Sequence, residues 1–363
     1  MHLNHPSRTR LNYYQNVLPL FAFLVCSIAA IAQQPTLPNK YVLRERNATP
    51  EIRTVLASQR ALIKQQNLAF NVGYTRVSAR PLAEITGEKE INVAEANRIR
   101  QYVTSRTLSP AVLELIKVIN CQAASKKYDA RTQNRVSPVR DQQCGNCWTY
   151  SAVGAIESSY LKINGGAITS VDAAERTAQL CSGGGDCSGG FAYKVFDWMV
   201  AGGKKLATEA AYPDNGTNGS CPAGAPATNY AIEAWGVVHP SGDINKIASV
   251  ADIKAAICKY GPVAASVEAT NLFKNYTNGT FFEFASNYNS PTSNHAILLV
   301  GWDDDKQAWL MKNSWADTWG ENGYMWIKYN SNNIGRRAAW VIAKKRPRIV
   351  VARDIKVAKV VHQ

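Results

Sequence analysis

The residues best suited to chemistry lie in one stretch, Asp141-Gln142-Gln143-Cys144-Gly145-Asn146-Cys147-Trp148. Apolar residues at Trp148, Ala152, Ala155, Ile156 and Tyr160 recur every three or four positions. A helix with a buried body is therefore predicted, and Cys147 falls in its first turn. Backbone N–H groups are unpaired there and the dipole is positive, so a thiolate is favoured over a thiol. A nucleophile of this kind needs a base. Of the five histidines, His2 and His5 fall in a leader-like stretch and His362 is next to last, which leaves His239 and His295. His295 has the better setting, because the apolar run from Ala296 to Val300 reads as a buried strand ending at Gly301. A second strand, Trp309 to Lys312, presents Asn313.

The pair Cys144-x-x-Cys147 has two other readings. A redox pair needs the first cysteine at the helix start and a βαβ setting, and neither fits. A zinc site needs a second ligand pair, which Cys181 and Cys187 could supply. Neither reading explains the blocks around His295 and Asn313. The glycine-rich loop from Cys181 to Gly190 follows a helix and lacks both a strand and a lysine, so phosphate binding is not expected.

Cys144-Gly145-Asn146-Cys147-Trp148, with His295 about 148 and Asn313 about 166 residues after Cys147, resembles the papain/cathepsin family of cysteine peptidases. Gly189-Gly190, Tyr212-Pro213, Gly261-Pro262-Val263, Asn294-His295-Ala296 and Asn313-Ser314-Trp315 through Tyr324 extend the likeness from about Tyr128 to about Ala343. The resemblance implies an α+β papain-like fold in which a helical half faces a twisted antiparallel β-sheet half across a cleft. It implies Cys147 as nucleophile, His295 as base and Asn313 as the amide that orients the imidazole, with Trp148 and Trp315 in support. Gln142, or else Gln143, would donate to the oxyanion. Gly189 and Gly190 would offer backbone to an extended peptide. Phe191 and Ala192 would line a pocket for an apolar or aromatic side chain, with Ser266 and Ser293 as weaker candidates. Disulfides Cys144–Cys187 and Cys181–Cys221 are implied. Cys121 and Cys258 could pair, but the expectation is that Cys121 leaves with the N-terminal segment and Cys258 stays buried. The partners implied are protein or peptide substrates, with no cofactor, no metal and a monomeric state.

Stepping outward along the chain, Arg8 and Arg10 precede an apolar run from Val17 to Ala32 that ends in a small-x-small pattern. Residues 1–32 therefore read as a secretory signal peptide, with no membrane span after its removal. Residues 33–122 carry helical patterns from Pro50 to Phe70, Val93 to Tyr102 and Pro110 to Ile119, and are expected to be an inhibitory pro-segment. Residues 123–343 are the expected catalytic domain and 344–363 a basic tail. The expected destination is secreted or periplasmic, or a lysosome-like compartment. The formal charge of +14 is unevenly spread: roughly +6 on 33–122 and roughly +8 on 336–363, which leaves the body near neutral. No aromatic interleaving accompanies the basic tail, so nucleic-acid binding is not expected.

Overall fold

The computed structural model describes residues 34–118, 120–283 and 292–346. The leader expected at 1–32 lies outside them, as does most of the expected tail. The N-terminal segment contains α1 (Asn39–Glu45), α2 (Pro50–Gln65), β1 (Phe70–Val72), α3 (Leu82–Ile85), α4 (Val93–Ser105) and α5 (Pro110–Leu115). Three of these helices start on local signals. Thr49, Asn92 and Ser109 each accept from the N–H three residues on, and Pro50 and Pro110 occupy a first turn where an N–H has no helical partner. The helix expected to reach Phe70 stops at Gln65. Asn67 turns left-handed at φ 51°, and Phe70 opens a strand instead.

The body follows with β2 (Lys127–Asp129), α6 (Cys147–Asn164), α7 (Glu175–Cys181), the short strands β3 (Gly185–Asp186) and β4 (Gly189–Gly190), and α8 (Ala192–Ala201). Next come β5 (Ile232–Val237), α9 (Val250–Tyr260), β6 (Val263–Val267), α10 (Asn271–Lys274), β7 (Tyr276–Phe281), β8 (His295–Asp303), β9 (Ala308–Lys312), β10 (Tyr324–Lys328) and β11 (Arg336–Ala343). The main sheet runs β1-β7-β10-β9-β8-β6-β11-β5, and β2 also pairs with β8.

Two features correct the expectation of an antiparallel sheet confined to the body. β7 and β10 run parallel. The chain returns after β7 to start β8 in the same direction, and two reversals later β10 runs that way again. In addition, β1 of the N-terminal segment pairs with β7 and extends the sheet edge.

β8 sits near the middle of the sheet, and its alternation explains its unbroken apolar run. Ala296, Leu298 and Val300 join the core shared with α6 and α8. Ile297 and Leu299 join the core on the other face with α9 and with Leu56 and Ile63 of α2. The N-terminal segment thus completes the second core.

Cys144–Cys187 and Cys181–Cys221 are bonded as the resemblance implies. Cys121–Cys258 is a third bond, which corrects the expectation that these two stay apart. Both residues are buried in the same core, with Cα atoms 5.2 Å apart, within bridging range. Closing a span of 137 residues restricts the unfolded chain, worth up to about 5 kcal/mol in the entropic picture. Peptide mapping of the non-reduced protein should recover Cys121 joined to Cys258. A chain cut at 122/123 should then keep its N-terminal segment until reductant is added. A free Cys121 thiol in folded protein would contradict this bond.

Candidate active site

The site is assembled by laying a helix start against a strand start. α6 crosses β8, and Ser151 Oγ donates to the Ile297 carbonyl at 2.7 Å. At the near end, the Ala296 N–H donates to Cys147 Sγ at 3.4 Å. Among the described residues Cys147 is the one free cysteine, and it is fully buried. β8 and β9 are antiparallel, with Leu298 opposite Lys312. The residue before Ala296 and the residue after Lys312 therefore meet at one end of the pair. There His295 Nε2 and Asn313 Oδ1 are 2.8 Å apart.

An amide oxygen only accepts, so Nε2 carries the proton and Nδ1 keeps its lone pair. Nδ1 is buried without a hydrogen-bond partner among the described residues. Trp315 stacks on the imidazole at 4.6 Å between ring centroids and covers the His295–Asn313 bond. Trp148 lies in the core beneath and donates to the Asp186 carbonyl at 3.3 Å.

Gln142 and Gln143 separate clearly. Gln142 is buried; its Oε1 accepts from Ser314 Oγ at 2.6 Å, and its Nε2 donates to the carbonyls of Cys144 and Ile85. Gln143 is exposed and its side chain turns back to Asp141. The stretch ahead of Cys147 is also braced from below. Arg140 pairs with Glu157 and Glu175, and Lys312 donates to Ser137, which in turn donates to Glu157. Asp214 accepts from Asn146 Nδ2 at 3.0 Å and Tyr150 Oη at 2.8 Å.

A strap of the N-terminal segment, residues 85–90, fills the groove over these groups. The Ile85 carbonyl accepts from Gln142 Nε2 at 3.1 Å and from Trp315 Nε1 at 2.9 Å. Gly190 donates to the Gly87 carbonyl at 2.8 Å, and its own carbonyl accepts from Lys89 at 3.1 Å. The Glu88 N–H donates to the Asn294 carbonyl at 2.9 Å. Gly189 and Gly190 thus hold an extended backbone. The approach is close enough to require glycine on both sides. A Cβ on Gly87 would stand 1.9 Å from the Gly145 carbonyl oxygen, and Gly189 takes φ +120° with its missing Cβ 2.6 Å from the Gly87 carbonyl. Phe191 is half-buried against Tyr193, while Ala192 lines a small cavity with Glu88, Ser266 and Arg337.

Under this cover, burial favours the neutral form of each reactive group. It holds the Cys147 thiol well above its ordinary value, and the charge of nearby Glu88 adds to that. The N–H groups of Ala296, Trp148 and Glu88 oppose the shift. Burial also lowers the His295 imidazole to about 4, against the hydrogen bond to Asn313. Thiol with neutral imidazole and thiolate with imidazolium hold the same number of protons and differ by a single transfer.

Sequence reasoning missed the strap and the two arginines of β11. The strap's legible signal was Gly87 flanked by Thr86 and Glu88. Arg336 and Arg337 had none, since a charged pair before an apolar run reads as a solvated strand end. Among the described residues no cluster of histidine, cysteine and carboxylate side chains is arranged to hold a metal ion.

A family model described as "Papain family cysteine protease" matches residues 124–343. Pro-cathepsin H of Medicago truncatula is 32% identical over 213 residues, which is 57% of this chain and 58% of that protein. Digestive cysteine proteinase 2 of Homarus americanus is 33% identical over 217 residues, covering 57% of this chain and 62% of that protein. The chain therefore matches less than two thirds of the length of these relatives. The proform of the ragweed pollen allergen Amb a 11 cysteine protease superposes with a TM-score of 0.62 at 21% identity, over 85% of this chain and 94% of that one. A recombinant stem bromelain precursor gives 0.60 at 19% identity, over 86% and 95%. At such identities the likeness is one of fold. Its coverage exceeds residues 124–343, so it extends into the N-terminal segment.

Two outcomes follow for the N-terminal segment. Gly87→Ala adds a methyl that the groove cannot take, and overpacking of this kind costs roughly 1–3 kcal/mol. In the full chain, alkylation of Cys147 should then speed up about tenfold or more; an unchanged rate would contradict the close approach. Glu95 of α4 accepts from Tyr193 Oη at 2.7 Å and pairs with Lys194 at 3.0 Å. Its carboxyl is pulled down to about 2, first by Arg98 and then by Tyr193 and Lys194. A depressed carboxyl contributes its stabilisation above its ordinary value and loses it as pH falls towards the folded one. Protection of α4 from hydrogen exchange should therefore fall as pH drops from 4.5 towards 2, and Glu95→Gln should flatten that dependence. A wild-type profile that is flat across this window would refute the docking role.

Proposed function

Because the chain belongs to the papain family of cysteine proteases, we propose that residues 123–343 are a cysteine endopeptidase. It is made as a precursor whose residues 33–122 obstruct its own groove. The carrying observation is that Thr86 to Lys89, an extended peptide following α3, already lies across Cys147, His295 and Gln142 on backbone bonds to Gly190 and Asn294, with the Ile85 carbonyl on Gln142.

In this reading the strap leaves and the Cys147 proton passes to His295 Nδ1. The resulting thiolate attacks the scissile carbonyl of a bound peptide. Gln142 Nε2, now bonded to the Ile85 carbonyl, would donate instead to the developing oxyanion, joined by the Cys147 N–H. The imidazolium then protonates the leaving amine, which departs and leaves an acyl-enzyme. Neutral His295 next takes a proton from water as that water attacks the thioester, and Cys147 is released. Asn313 keeps Nε2 protonated and the ring in place throughout. Ser314 holds Gln142 by its Oε1, so the donating end faces the groove. Three disulfides favour an oxidising, exported setting.

Hydrolysis of a peptide series by the processed protein tests this directly. Cys147→Ser should abolish turnover, and the precursor of that variant should stay uncut at mildly acidic pH. Gln142→Ala should lower kcat by about 10²–10³-fold, as loss of one oxyanion donor does. Gln143→Ala should stay near wild type. If Gln143→Ala carries the loss, the donor assignment is wrong; if Cys147→Ser still turns over, the function is.

A further inference from the structure

The body contributes one charged side chain to the cavity beside Ala192, and it is Arg337. The remaining body residues there include Ala264, Ala265, Ser266 and Ala296. Arg337 is only 4% exposed, so its guanidinium has little access to water. Consecutive residues of a strand normally face opposite ways. Here the pairing of β11 with β6 slips between Arg336 and Ala339, and Arg337 takes φ 55°. That irregularity lets both arginines reach the same ligand.

The ligand is now the strap. Glu90 meets Arg336 at 2.6 and 2.8 Å and Arg337 at 2.7 Å, while Glu88 meets Arg337 at 3.2 Å. Among the described residues, both carboxylates hydrogen-bonded to Arg337 come from the N-terminal segment. The site is not saturated: Glu88 Oε2 and Arg337 Nε are buried without partners. Arg336 has a further contact to Ser293 Oγ at 3.2 Å, and Glu268 of the body lies close enough to feel its charge. Arg337 is thus the residue most exposed to loss when the strap departs, because a buried guanidinium stripped of its carboxylates is costly.

We infer that the cavity bounded by Ala192, Ser266, Ala296 and Arg337 is a subsite for an acidic side chain of the substrate peptide, with Arg337 as the residue that reads it and Arg336 in support. Glu88 occupies the place that a substrate glutamate or aspartate takes after processing. This inference rests on the peptidase reading above. It replaces the expectation of an apolar or aromatic preference drawn from Phe191 and Ala192. The carboxylate enters beside the backbone ladder on Gly190, where Glu88 itself bridges to Gly190. A neutral glutamine of the same size fits the space but cannot form the charge-assisted pair.

The test uses processed protein obtained from the full chain and a peptide library varied at each position on either side of the cut. The fraction of active sites is counted by thiol-directed labelling of Cys147. At one position near the cut, glutamate should exceed both glutamine and leucine in kcat/KM by about ten- to hundredfold, the range of a charge-assisted hydrogen bond. Arg337→Met should remove that preference while labelling of Cys147 persists, and Arg337→Lys should retain part of it. The glutamate-against-glutamine comparison needs no variant, so it stands even if Arg337→Met fails to fold. Active enzyme that favours leucine or phenylalanine over glutamate at every position overturns the acidic subsite and leaves the peptidase reading intact. Labelled protein that cleaves no peptide overturns the peptidase reading, and this inference falls with it.

Discussion

The contact on which the rest depends is the start of α6 pressed against the start of β8. It takes a cysteine and a histidine separated by about 148 positions and brings their neighbours within hydrogen-bond reach, through Ala296 N–H and Cys147 Sγ. The contact has little freedom to drift. Ser151 anchors the first helical turns to the Ile297 carbonyl, and a Cβ on Gly154 would stand 3.3 Å from Leu298 one turn further on. Beneath it, Arg140, Glu157, Glu175 and Lys312 form a largely buried set of ionisable side chains. Such a set contributes little net stability but tolerates few alternative arrangements. It fixes the loop before Cys147 to the end of β9, where Asn313 begins.

The same closeness makes the site expensive to leave covered in charged form. With residues 85–90 in the groove, Cys147 and His295 are both removed from water and the neutral pair is favoured. The strap also brings a carboxylate, Glu88, towards the sulfur, which disfavours an anion there further. In the precursor proposed above, burial and Glu88 thus both oppose the thiolate that a helix start favours. The strap in turn is held by groups on both sides of the groove, namely Gly190 on the helical side and Asn294, Arg336 and Arg337 on the sheet side. Its acidic residues, Glu88 and Glu90, meet Arg336 and Arg337 there.

Much of this was legible in the amino-acid order. Helical spacing placed Cys147 in the first turn of α6, and the unbroken apolar run after His295 marked a buried strand. The blocks around Gly189, His295 and Asn313 carried the resemblance that implied the two-sided groove. The resemblance favours Gln142 over Gln143, but what separates them in the fold is which side chain Ser314 reaches. β7 escaped notice because Asn278 and Gly279 interrupt its apolar pattern, and β11 because two arginines open it. The Cys121–Cys258 bond was opaque for a different reason: pairing over 137 positions is decided by where α9 packs, and no local pattern records that. The acidic subsite needed the bulge at Arg337, a backbone irregularity without a sequence signature.

Once the groove is open, Cys147 and His295 should share one proton. The most direct measurement is the pH dependence of Cys147 alkylation by a small neutral reagent in the processed protein, beside His295→Ala. Labelling should be rapid, should persist well below the ordinary thiol value of about 8.5, and should be lost in the variant. A wild-type rate that rises only near that value, and that His295→Ala leaves unchanged, would contradict it.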